Sequence, residues 1–134
     1  MDIQIIIRWA FGIFVAGILF IGGFVLLFAK IKINYSIGYV SKLSVKNEFN
    51  WKYANRVFAL LLLIVGLIIA IETIIINLLK LDIKIFMPVI ICSLFLGLVL
   101  CAWLPNFCLK KYLSKNRKEG GGNGTWYKKR RNIW

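Results

Sequence analysis

Three long apolar runs, parted by short polar stretches, organise this chain: Trp9–Ala29, Val57–Leu79 and Ile85–Leu104. A helix rises ~1.5 Å per residue and the hydrocarbon core of a bilayer is ~30 Å thick, so each run is long enough to cross a membrane. The first and third runs carry no charge, and the second carries a single carboxylate, Glu72. The pattern predicts an all-α membrane protein, a compact bundle of three transmembrane helices over about 4–29, 47–79 and 85–104. The first run exceeds the 7–15 residues of a signal-peptide core and no A-x-A-like site precedes Lys30, so it reads as a retained helix.

Small residues recur on one face of each helix. Gly12, Ala16 and Gly23 do so in the first, Ala59, Gly66, Ala70, Thr73 and Asn77 in the second, and Ser93, Gly97 and Cys101 in the third. Such faces let helices approach closely in lipid, where no hydrophobic force drives them together. They predict a close-packed bundle, and a face left over would support a homo-oligomer.

Between the spans, Gly38 marks a turn, and Ser44 or Asn47 can cap the second helix with Glu48 near its positive end. Trp51 and Tyr53 follow at a level suited to an interfacial aromatic belt. Pro105 reads as a break after the third span. Beyond it Cys108, Leu109, Tyr112 and Leu113 form an apolar side opposed by lysines, which predicts a short interfacial helix over 105–118. Residues 1–118 thus make one membrane domain. Residues 119–134 are a Gly-rich linker and a basic, aromatic tail containing Trp126 and Tyr127.

Charge orients the bundle. The formal net charge is +13, and fifteen of the eighteen basic residues fall in the loop between the first two spans or after the third. The opposite side holds Arg8, Lys80 and Lys84. Basic residues stay cytoplasmic, so the N-terminus is expected outside and the C-terminus inside, in a multi-pass protein of the cell membrane. The bilayer itself is the first partner, with anionic headgroups at the basic loop and tail. That position accounts for the charge, and no nucleic-acid-binding fold accompanies it.

Little here supports catalysis. The chain has no histidine, no paired intramembrane carboxylates, no nucleophile elbow and no phosphate loop. Cys92, Cys101 and Cys108 form no C-x-x-C, so a zinc site of ordinary spacing is excluded and no cofactor is expected. Glu72 is the costly residue, since a carboxylate inside a span is penalised by roughly 2.5–3.5 kcal/mol when central. It lies about 10 Å from the end of its helix. Arg8 starts the first helix from the same side, so an Arg8–Glu72 ion pair is the structural expectation and an outward-facing polar site the functional one.

The stretch Ile37–Arg56, IGYVSKLSVKNEFNWKYANR, carries a family resemblance. It resembles the SdpI family of multi-pass membrane proteins, whose signature runs roughly I-G-x-R-T, a Lys-Asn pair, then W-x-x-A-N before a membrane helix. Gly38, Ser41, Lys46, Asn47, Trp51, Ala54 and Asn55 fit that pattern, whereas Val40 stands where the family has Arg. The resemblance implies a non-enzymatic protein giving immunity to, or sensing, a peptide toxin, with a cytoplasmic regulator as second partner. It makes Gly38, Ser41, Lys46, Asn47, Trp51 and Asn55 candidate partner-binding residues. The bare physics also fits a holin-like pore former or a small accessory subunit of a membrane complex.

Overall fold

A computed structural model describes residues 3–28, 33 and 38–119, the last four without their side chains. It contains three long helices: α1 Ile3–Phe28, α2 Glu48–Leu78 and α3 Ile83–Glu119, with a single 3₁₀ turn at Ser44–Lys46. All three are long and apolar enough to cross a membrane. At ~1.5 Å per residue α2 and α3 are longer than the hydrocarbon core requires, so each continues beyond it. Of the expected linker and tail over 119–134, Glu119 is the last residue of α3, and 120–134, like the start of the loop at Lys30 and Lys32, lie outside the described residues.

The middle helix is α2, and both neighbours pack along it. Its buried residues include Ala59, Leu62, Val65, Gly66, Ile69, Thr73 and Ile76. The small-residue faces explain how the helices come close. A Cβ on Gly12 would collide with Thr73, and one on Gly23 would sit 2.9 Å from the carbonyl oxygen of Ala59. One on Gly66 would press on Leu19 and Phe20 of α1, and one on Gly97 of α3 would strike Val65. The stripes of α1 and α2 therefore face one another inside one chain, and that of α3 meets α2 at Val65. Where α1 and α3 do meet, Phe11 lies edge-on to the fully buried Phe86, with ring centroids 6.5 Å apart.

Two ends can be distinguished. At the loop end lie residues 38–47, the start of α2 and the last turns of α3. At the hairpin end lie the start of α1 and the tight turn joining α2 to α3. That turn is closed by Lys80 N–H donating to the Asn77 carbonyl and Leu81 N–H to that of Ile76, each at 3.2 Å. Lys80 sits at φ 51°, in the left-handed position such a helix ending normally gives to glycine. Asp82 then starts α3, its carbonyl accepting from Ile85 and Phe86.

The third helix departs from the sequence expectation. Residues 105–118 do not form a separate interfacial helix, because α3 runs through Pro105 without interruption. Proline removes one intrahelical hydrogen bond, but tertiary packing outweighs that loss. Pro105 and Leu109 are fully buried, and Tyr112 stacks on Tyr53 (5.1 Å) and lies tilted against Phe49 (5.6 Å) at the start of α2. The apolar side of this segment faces α2 rather than lipid headgroups.

Candidate functional site

At the loop end, a short segment is tied to α2 by side-chain hydrogen bonds. Gly38 has φ +95°, and a Cβ there would collide with the amide oxygen of Asn55. That oxygen accepts from Tyr39 N–H at 2.7 Å, while the Asn55 amide nitrogen donates back to the Trp51 carbonyl at 2.9 Å. Gly38 and Asn55, seventeen positions apart in the sequence, thus form one contact. Ser41 and Ser44 exchange hydrogen bonds, with Ser44 N–H donating to Ser41 Oγ (3.1 Å) and Ser41 N–H to Ser44 Oγ (2.8 Å). Asn47 caps α2 by accepting from Asn50 N–H at 2.8 Å, and the Asn50 amide reaches back to the Leu43 carbonyl at 2.9 Å. The cap falls to Asn47 because Ser44 is buried and engaged within the loop.

Five of the six motif residues therefore come together: Gly38, Ser41, Asn47, Trp51 and Asn55. Lys46 does not join them and points outward. Trp51 departs from its expected place in an interfacial belt, being 1% exposed and enclosed by protein. Val40, at the position where the family carries Arg, is on the outer side of the loop at 42% exposure.

Three participants are not expected in this site from the sequence. Ser44 reads there only as an alternative cap of the second helix and Asn50 carries no reading, and nothing in their spacing announces their burial. Tyr39 is the third, packing on Phe58 of α2 (5.8 Å) and donating its hydroxyl to the Ala102 carbonyl of α3 at 2.8 Å. Burial raises the Tyr39 hydroxyl above its ordinary value of 10.0, against a smaller lowering from the Asn106 backbone. The Ala102 carbonyl adjoins that of Cys101, which Pro105, having no N–H, leaves without its helical donor.

The hairpin end is built differently. The expected Arg8–Glu72 ion pair does not form. Glu72 faces α3, where its Oε1 accepts from the Ser93 hydroxyl at 2.6 Å, and its Oε2 is buried without a partner. Thr73, one residue on, faces Gly12 of α1 instead. One step along a helix turns a side chain by about 100°, so α1, which carries Arg8, and Glu72 lie on different sides of α2. Arg8 is 4% exposed, and its Nε has no partner among the described residues. It lines an open cleft of about 450 Å³ together with Ile3, Gln4, Ile5, Lys80, Leu81 and Asp82. Asn77 donates to the Thr73 carbonyl at 2.8 Å, and its amide oxygen is buried without a partner.

Comparison with known proteins bears on the loop end. The SdpI/YfhL protein family model matches residues 30–103, more than half of the chain, spanning the loop, α2 and most of α3. No curated protein and no solved structure matches the chain.

Proposed function

The chain belongs to the SdpI/YfhL family, and on that premise we propose that it protects against, or senses, a peptide toxin by binding rather than by chemistry. The orientation in this reading is N-terminus outside and loop end in the cytoplasm, as the distribution of basic residues favours. The hairpin end then meets whatever arrives from outside, and the loop end meets a cytoplasmic regulator.

One observation carries the reading. The motif residues do not converge on a reacting centre; they hold a single loop rigidly against α2. That loop presents Val40, Lys42 and Lys46 outward on a fixed backbone. A fixed, basic surface of this kind suits recognition of an acidic partner, since ordering the loop beforehand reduces the entropy lost on binding.

The test is a toxin challenge. Cells expressing the chain should survive secreted membrane-active peptides better than cells without it. The double substitution Lys42→Glu and Lys46→Glu should remove regulator capture while leaving the protein in the membrane. Loss of membrane potential on expression alone, read with a potential-sensitive dye, would overturn this reading in favour of the holin-like pore.

A further inference from the structure

We propose that the hairpin-end cleft is a binding site for the phosphodiester of an anionic membrane lipid, with Arg8 as its principal ligand. The site is independent of the toxin reading and of which leaflet faces outward.

Burying a guanidinium without a counter-charge is costly, and Arg8 is buried with its Nε unpartnered among the described residues. The group lines a cleft open to the surface rather than a closed core. Two further sources of positive potential meet it there. The first is the start of α1, whose opening residues Ile3, Gln4 and Ile5 line the same cleft. N–H groups of a helix's first turn have no acceptor within the helix and carry its positive pole. The second is Lys80 from the turn after α2. Among the described lining residues one carboxylate, Asp82, stands against these, and its Oδ1 is directed to the Lys84 N–H at 3.4 Å. The described lining is therefore net positive, and a planar guanidinium beside helix N–H donors matches a tetrahedral phosphate oxygen set.

The surroundings favour a lipid over a soluble anion. The cleft lies at the end of membrane-length helices, flanked by outward-facing Ile3, Ile6 and Ile7 of α1 and by Leu78 and Leu79 at the end of α2. Acyl chains can lie along those residues while the headgroup reaches inward. A volume of about 450 Å³ accommodates a phosphate with its glycerol.

Native mass spectrometry of the full chain in mild detergent tests this, titrating dioleoyl phosphatidylglycerol against a diglucosyl diacylglycerol with the same tails and no phosphate. The unmodified chain should retain the phosphatidylglycerol selectively. Arg8→Gln should weaken retention about tenfold or more, the ordinary effect of losing a hydrogen bond to a charged group. Lys80→Gly separates binding from folding. It removes the cation while giving the left-handed position its preferred residue, so it should fold at least as well and bind about twofold to fivefold more weakly. Equal retention of both lipids, or retention unchanged in both variants, would overturn the proposal. Displacement of the lipid by excess inorganic phosphate would also overturn it, by assigning the site to a soluble anion. Should Arg8→Gln fail to fold, the Lys80→Gly titration decides alone.

Discussion

The two ends of this bundle treat polar groups in opposite ways. At the loop end, Asn55, Ser41, Ser44 and Asn47 are joined to nearby backbone by a dense set of hydrogen bonds, and what stays unpartnered there (the amide oxygens of Asn50 and Asn106) is neutral. At the hairpin end the buried atoms without partners include one from a guanidinium and one from a carboxylate, Arg8 Nε and Glu72 Oε2. A satisfied network gives a fold its shape, whereas an unsatisfied buried charge indicates a ligand or a cost borne for some other purpose. The family motif thus marks the end that is built as a scaffold, and the end with unmet charge lies mostly outside it.

This contrast can be broken by substitution. The largest effect is expected from Gly38→Val. It forces a β-branched residue into a positive-φ position and pushes Asn55 off the Tyr39 N–H, at about 2–4 kcal/mol in all. Thermal unfolding in detergent should show a clear drop in midpoint, and an unchanged midpoint would mean that the loop is not held as described. Asn55→Ala should follow at about 1–3 kcal/mol, because it strands the Tyr39 N–H and removes the bond to the Trp51 carbonyl.

At the other end, smaller effects are expected. Ser93→Ala removes the hydroxyl that donates to Glu72 and should cost about 0.6–1.7 kcal/mol, the range for hydrogen bonds between membrane helices. Glu72→Gln, which can keep that bond while discarding the charge, should leave assembly intact or improve it. A strongly destabilised Glu72→Gln would show that the charge itself is structural, and the contrast between the two ends would fail.

Tyr39→Phe should show the smallest of the losses, about 0.5–1.5 kcal/mol, since it loses one bond to α3 but keeps the ring on Phe58. Its pH dependence follows from the raised hydroxyl. The folded chain holds this proton more firmly than the unfolded chain, so the contribution is complete below pH 10.0 and is lost as pH rises through and beyond that value. Alkaline melting curves of the unmodified chain and Tyr39→Phe should therefore converge above that pH.

Much of this was legible along the chain, and the misses have physical causes. The spans could be read because a run of apolar residues long enough to cross a bilayer has few other uses. The Gly12, Gly23, Gly66 and Gly97 contacts could be anticipated because helix geometry alone keeps small residues on one face. The end of α3 could not be read from Pro105, since burial of Leu109 and the stacking of Tyr112 on α2 outweigh one missing hydrogen bond. Trp51 looked interfacial because its sequence position fits a headgroup level, but depth along a helix says nothing about which side a neighbour covers.

The sequence by itself determined the number of spans, the uneven distribution of charge and the motif that places the chain in its family. Each of these depends on residue type and spacing within one segment. The tertiary structure decided which polar groups meet. Glu72 belongs to Ser93 and not to Arg8, because the rotation of α2 between its two neighbours turns Glu72 to α3 and the adjacent Thr73 to α1. Arg8 is left facing the cleft at the helix ends, a consequence of packing among three helices that no single segment encodes.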